Sequence, residues 1–408
     1  MTDPSSAAPL SGLRVIDVST YVAGPSAAMT LAQLGAEVIR VDPVGGAADT
    51  RRLPRAPSGT SLYWAGLNKA KRSVEIDLSS PEGQGLVGAL VGVPGPEGGV
   101  LLTNTAGRPW LEYEAMRAYR DDLILVRIGG RADGRPALDY TVNCEVGLPL
   151  MTGPVGFDGP VNHVLPAWDL LTGLHAAMAV LVAERVRART GAGQEIRVNL
   201  ADVAVATMAQ LGFVADVVVN GQGRRRDGNH LYGSFGCDFA TADGPRVMIV
   251  ALTERHWDKL VALTGIGDAV DALERSLHVD LSAEEERYQY RDVLEALIRP
   301  WFSTRTYAQV ADGLDRANVL WGPYRTIDDL VNDPTSPLHV GNLMVDIDQP
   351  GVGTIPVPRS VLDFSRCDQR DPAPAPTLGR DTSTVLASLL GLGDSPLADL
   401  RRRGVIGG

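Results

Sequence analysis

Asp169 stands where a polar loop passes into a long apolar stretch, in the order Pro166-Ala167-Trp168-Asp169-Leu170-Leu171-Thr172-Gly173-Leu174. A carboxylate there has two readings. It can be an N-cap that accepts backbone N–H groups of the first helical turn. Alternatively, partly desolvated at the edge of an apolar helix yet kept ionised by the helix N-terminus, it can act as a nucleophile and form a covalent intermediate. Asp139 is a candidate second acid of the same pocket, and His163 lies just before Asp169, although a lone histidine also reads as a hydrogen-bonded loop residue. A second constellation is Asn68-Lys69-Ala70-Lys71-Arg72-Ser73. Such a cluster can simply be a solvated face. The chain, however, has only three lysines, with 38 basic against 49 acidic residues and a net charge of −11. Three cations within four residues therefore also read as a local phosphate clamp. The turn Tyr21-Val22-Ala23-Gly24-Pro25 is either an ordinary strand-to-helix turn or one whose free backbone N–H groups meet a ligand.

Several chemistries are disfavoured. No G-x-G-x-x-G follows the first expected strand, and Walker A, H-E-x-x-H and G-x-S-x-G sequences are absent, which argues against common dinucleotide, NTPase, metalloprotease and serine hydrolase sites. An acidic chain without a basic tail is not expected to bind nucleic acid, where phosphate contacts dominate affinity. Cys144, Cys237 and Cys367 are too few and scattered for a disulfide framework or a C-x-x-C metal site, and the six histidines lack metal-ligand spacing, so no metal is expected. The opening MTDPSSAAPL does not read as a signal peptide, and no uninterrupted apolar run reaches about 18 residues, so a cytoplasmic protein without a membrane partner is expected.

The elements that must position these residues follow from periodicity. Leu13–Ser19, Val38–Asp42, Val74–Leu78, Val100–Thr103 and Leu123–Ile128 read as strands alternating with helices, which predicts a parallel sheet covered on both faces. A helix should begin at Pro81 with Ser79 or Ser80 as its N-cap. Trp168–Arg189 reads as one long apolar helix, Glu195–Asn199 as a strand, and Leu200–Asn220 as a second long helix; both helices should be buried or dimer-forming. The polar, basic stretch Gly221–Gly228 marks a boundary. Beyond it come a strand at Val247–Leu252 and helices from Thr253, over Ala283–Ile298 with Pro300 as the stop, and after Thr304. Asp371–Pro376 should be an extended connector. The strand at Leu343–Ile347 and a last helix from Asp381 complete an expected organisation of 1–220, a small domain with linkers at 221–335, and 336–408 returning to the large domain.

The order of many short segments resembles the class III CoA-transferases, the family that includes formyl-CoA transferase, carnitine CoA-transferases and α-methylacyl-CoA racemases. The segments are Leu10–Asp17, Ala23–Pro25, Leu34–Asp42, Asn68–Ser73, Asp77–Leu78, Ser80–Gly83, Asp169–Gly173 and Arg189–Gln194. The resemblance implies an α/β fold with a large Rossmann-like domain from both chain ends, a small central α+β domain and an interlocked homodimer. It places Asp169 on the family's nucleophile and Asp139 on an acidic position beside it. Val22, Ala23, Ile76, Asp77, Leu78, Asn104 and Thr105 fall on segments lining the CoA site; Lys71 and Arg72 lie close to them, and Arg108 lies near a CoA-binding arginine where the local sequence is shortened. Gly233, in Tyr232–Gly236, is similar to the glycine-rich loop over the active site. The substrate implied is an acyl-CoA thioester, with no prosthetic group.

Three departures narrow the expectation. Leu138 stands where a family racemase has a histidine, which disfavours racemisation. Ile128–Gly134 replaces the usual glycine-rich stretch. Asp139–Asn143, Gly153–Gly156, Pro160–Asp169 and Ser61–Asn68 resemble the subgroup that moves CoA between the C1 and C4 carboxyl groups of mesaconate. An intramolecular transfer of that kind must hold the substrate's free carboxylate, for which His163, Arg131 and Asn143 are candidates. The rivals are transfer between separate carboxylates, racemisation, and CoA binding without catalysis.

Overall fold

A computed structural model describes residues 8–95, 98–367 and 371–408, so most of the opening MTDPSSAAPL lies outside the described residues. The chain forms two compact units, one of residues 1–146, 163–215 and 339–408, the other of 147–162 and 216–338. Residues 147–162, assigned above to the large domain, thus belong to the second unit.

The first unit is built on six strands: β1 (Arg14–Val18), β2 (Glu37–Asp42), β3 (Arg72–Glu75), β4 (Val100–Thr103), β5 (Ile124–Gly129) and β6 (Gln194–Asn199). Their order is β3-β2-β1-β4-β5-β6 and every pairing is parallel. Successive side chains of a strand face opposite layers, which sorts the apolar residues into two cores. Ile16, Ile39, Leu101 and Leu125 share one core with α3 (Pro81–Val91) and the C-terminal helices Thr382–Leu390 and Asp394–Arg402. Val15, Val38, Val100, Ile124 and Val126 share the other with α1 (Ala23–Gln33) and the 24-residue helix Ala167–Thr190. The chain's end therefore completes the first core, through Val385, Leu386, Leu397 and Leu400. The antiparallel hairpin β10 (Met344–Gln349) and β11 (Gly353–Pro358) also belongs to this unit.

The second unit has the antiparallel sheet β7 (Phe235–Ala240), β8 (Arg246–Ala251) and β9 (Leu320–Pro323). Helices cover it, and Phe239 stacks on Phe302 with ring centroids 4.4 Å apart. A parallel sheet joined to this smaller sheet-and-helix unit is the expected α/β class.

Local expectations hold where a cap or a run of buried residues sets the element. Ser80 Oγ accepts from Gly83 N–H at 3.1 Å and opens α3 at Pro81. They fail where one residue overrides a pattern. Leu200–Asn220 is two helices, Leu200–Gln210 and Phe213–Asn220, because Gly212 between them takes φ +83°. The helix expected over Ala283–Ile298 divides into Glu284–Gln289 and Arg291–Ser303, and Pro300 lies inside the latter rather than ending it.

Candidate active site

Asp169 is the third residue of the Ala167–Thr190 helix, not its N-cap; the capping position is Pro166, whose ring carries no hydrogen-bond acceptor. The cap comes from another segment. Asp139 opens the helix Asp139–Glu145, and its Oδ2 accepts from Trp168 N–H at 2.7 Å and Asp169 N–H at 3.1 Å. Asp139 is buried and its Oδ1 has no partner among the described residues. Asn143, one turn further along that helix, accepts from the Trp168 indole N–H at 3.2 Å. It is fully buried beneath the helix start and positions Trp168 through its Oδ1, while its Nδ2 finds no partner among the described residues. Gly173 lets this helix lie against α1: a Cβ there would stand 2.3 Å from Ser26 Oγ and 2.8 Å from the Ala23 carbonyl oxygen.

A helix N-terminus ordinarily lowers a carboxyl pKa. At Asp169 burial outweighs that effect and, with the Asp139 carboxylate beside it, pushes the pKa up to about 6, against the pull of Arg52. The group is thus ionised at neutral pH yet more basic, and so more nucleophilic, than an ordinary aspartate. If the ionised form reacts, kcat/KM should rise with pH through a limb centred near 6 and level off above it. Asp139→Asn keeps an oxygen for the cap but removes a negative charge, so the limb should move to lower pH. A pH profile of both proteins tests this, and an unmoved limb would remove Asp139 from the electrostatics of the site.

Arg52 was not singled out in the sequence. Its guanidinium lies 4.8 Å from the Tyr63 ring centroid and 5.6 Å from that of Tyr21. The Tyr63 phenol is pushed up by burial, with Asp169 contributing, so Arg52, Tyr63 and Asp169 share one electrostatic neighbourhood. The visible signal was only the pair Arg51-Arg52 in a polar turn, which no spacing rule distinguishes.

The other candidates separate. Chain order reverses between β1 and β4, and in such sheets the crevice beyond the strands' carboxyl ends at that point receives ligands. A crevice of about 390 Å³ lies there, lined by Thr20, Pro43, Asp77, Leu78, Ser79, Thr105, Arg108 and Trp110 among others. Asn104 secures its rim, accepting from Thr20 N–H at 3.0 Å and donating to the Thr20 carbonyl at 2.8 Å. Val22 and Ala23 are buried at the start of α1, and Ile76 is buried beside a bridge to Ile406.

The lysine cluster is not a clamp. Lys71 has no exposed side-chain surface, and its ammonium donates to Asp17 Oδ2 (2.9 Å), Asn68 Oδ1 (2.8 Å) and the Pro25 carbonyl (2.9 Å). Asn68 Oδ1 also accepts from Arg40, which holds Asp42 and Asp49, each at 2.9 Å. Asp49 in turn accepts from Tyr21 N–H at 3.0 Å. This buried network supports the β1–α1 turn from below. Lys69 is buried against the Gly66 carbonyl, and Arg72 pairs with Glu37 at 2.9 Å. The exposed cation lining the crevice is Arg108; if the crevice receives a CoA ester, Arg108→Ala should weaken its binding about 10-fold, with the loss shrinking at high salt. Titration calorimetry at two ionic strengths checks this.

Arg131 makes a two-pronged ion pair with Glu145 at 2.5 and 2.6 Å, which occupies it. His163 Nε2 is shielded and has no partner among the described residues. Gly233 lies in the second unit at φ +78°.

An α/β sheet with a crevice at its switch point and a desolvated aspartate at a helix start defines a known class. The structure of a CAIB/BAIF family protein from Brucella suis is similar with a TM-score of 0.77 and 26% identity, covering 94% of this chain and 100% of that one. Residues 10–382 match the model of CoA-transferase family III, and the chain belongs to that family. It is therefore an enzyme of CoA transfer whose substrates are CoA thioesters. The 2-methylfumaryl-CoA isomerase of Chloroflexus aurantiacus is 44% identical over 400 residues, 98% of each chain. The succinyl-CoA:mesaconate CoA-transferase of Haloarcula hispanica is 30% identical over 362 residues, 84% of this chain and 86% of that one.

Proposed function

We propose that the protein moves CoA from one carboxyl group of mesaconate (2-methylfumarate) to the other, with Asp169 as the covalent nucleophile. The observation that carries this reading is the Asp169 carboxylate, desolvated, raised to about 6 and held at the helix start by Asp139. The similarity to 2-methylfumaryl-CoA isomerase along the whole chain supports the choice of substrate. An Asp169 oxygen attacks the thioester carbonyl, the C–S bond breaks, and CoA leaves as thiolate. The thiolate then attacks the Asp169 carbonyl of the mixed anhydride, releasing the mesaconate carboxylate and leaving an enzyme thioester. The second carboxylate of the same mesaconate repeats these steps in reverse and regenerates Asp169. No electrons are exchanged with an outside group, and the substrate, enzyme and product thioesters are of similar energy, so the net transfer is close to balanced. Keeping the free dicarboxylate in place supplies the effective concentration that a separate acceptor lacks.

In this reading the crevice holds CoA, with Arg108 on its phosphates, Thr105 and Asp77–Ser79 along its wall, and Val22, Ala23, Ile76 and Asn104 shaping its floor and rim. The enzyme acts as a cytoplasmic homodimer without a prosthetic group; the exposed Leu174, Met178 and Val182 on the Ala167–Thr190 helix supply apolar surface for a second copy. Purified protein incubated with mesaconyl-C1-CoA alone should yield the C4 isomer. If isomer appears only after a free acid is added, transfer is intermolecular. Deuterium entering the α-carbon of a 2-methylacyl-CoA from heavy water would indicate racemisation, which Leu138 beside Asp139 disfavours.

A further inference from the structure

The reaction proposed above leaves one group of the substrate without a receptor. Whichever carboxyl end of the dicarboxylate carries CoA, the other is a free carboxylate close to Asp169 and to the Asp139 carboxylate beside it. An uncompensated third negative charge there would be repelled. Of the residues first considered for the task, Arg131 is paired with Glu145, while Asn143, fully buried, and the His163 ring offer neutral groups that do not compensate a charge.

We infer that Arg52 is the receptor for the free carboxylate and thereby selects dicarboxylyl-CoA esters. The backbone that carries it is held on both sides. Asp49, three residues earlier, is fixed by Arg40 and the Tyr21 N–H, and the Arg52 carbonyl accepts from Ser61 Oγ at 2.6 Å. Ser61 is also the N-cap of α2 (Leu62–Leu67), accepting from Trp64 N–H at 3.1 Å, and α2 carries Tyr63. The backbone that places the guanidinium and the ring that covers it are therefore one assembly. Tyr21 supplies the second ring. Stacking of this kind leaves the edge of the guanidinium plane, where the N–H fork lies, free for a ligand. Among the described residues Arg52 makes no ion pair, and its positive charge is felt at Asp169.

An arginine fork matches a carboxylate with two parallel hydrogen bonds, and orienting it beforehand reduces the entropy lost on binding. The same fork serves both halves of the reaction. It holds the C4 carboxylate while C1 reacts with Asp169, and the C1 carboxylate after the ends have exchanged. This assignment rests on the Asp169 reading, so its test includes a binding measurement that does not need turnover.

Two stable thioethers of CoA are the probes, carboxypropyl-CoA and butyl-CoA, which differ in a terminal carboxylate. With the wild-type protein, calorimetry should show the carboxylated probe binding more tightly. In Arg52→Met, affinity for carboxypropyl-CoA should fall about 100-fold, the scale of a two-pronged charged hydrogen bond. Butyl-CoA affinity should change less than about twofold. Arg52→Lys, which keeps the charge but not the fork, should fall between, and kcat/KM for mesaconyl-C1-CoA should follow the same order. Equal loss of both probes, or no loss of the carboxylated one, overturns the assignment. If the wild-type enzyme fails to isomerise mesaconyl-C1-CoA yet Arg52→Met loses only the carboxylated probe, the function proposed above is wrong and the Arg52 receptor stands.

Discussion

Asp169→Asn is expected to lose CoA transfer by at least about 10⁴-fold, because the amide keeps the shape but cannot form the anhydride. Wild-type protein incubated with substrate and quenched with hydroxylamine should carry a modified Asp169 detectable by mass spectrometry; the variant should not. Stability should move the other way. Asp169 has its pKa raised from an ordinary aspartate value to about 6, so the folded state holds that proton more tightly than the unfolded chain. The associated stability is present below the unfolded pKa and is lost as pH rises through about 6. At pH 7.5 the wild type therefore carries an unfavourable buried charge that asparagine lacks. The variant should melt higher at pH 7.5 and show little advantage at pH 4. An inactive variant that melts lower at both pH values would indicate damage to the helix start and not removal of a nucleophile. An active variant would end the Asp169 mechanism.

Lys71→Met is the second large effect, and it should appear in folding and not in ligand affinity. The ammonium is wholly buried on Asp17, Asn68 and the Pro25 carbonyl. Removing it leaves Asp17 charged and unpaired in the core, which costs about 3–5 kcal/mol. For a unit of this size the melting temperature should fall by roughly 10 °C. At a temperature where the variant remains folded, its affinity for CoA esters should stay close to that of wild type, in contrast to Arg108→Ala. Adding Asp17→Asn should recover part of the stability, since the orphaned charge is the main loss. A variant that melts normally but binds CoA weakly would return Lys71 to the phosphate clamp.

These two residues also mark what could be read in the chain. The strands of the first sheet, the start of α3 at Pro81 and the position of Asp169 at the head of an apolar helix depend on neighbours within a few residues. Periodicity and capping chemistry report such neighbours directly. Leu200–Asn220 and Ala283–Ile298 show the limit even at short range, where Gly212 breaks a run and Pro300 fails to.

The constellation around Lys71 shows the limit at long range. The lysine cluster was legible as charge, but whether a cation faces solvent, a phosphate or the core depends on what surrounds it in space. Lys71 meets Asp17 across 54 residues of chain, Asp139 caps the Asp169 helix from 30 residues away, and Tyr21, whose backbone N–H meets Asp49 across 28 residues, supplies a ring over Arg52. Composition, most element types and the placing of Asp169 at the head of an apolar helix were determined by the sequence alone, because they follow from local patterning. The tertiary structure alone decided which cations are structural, which aspartate caps and which is capped, and where a free guanidinium lies, because burial and charge pairing are set by distant parts of the chain brought together by the sheet.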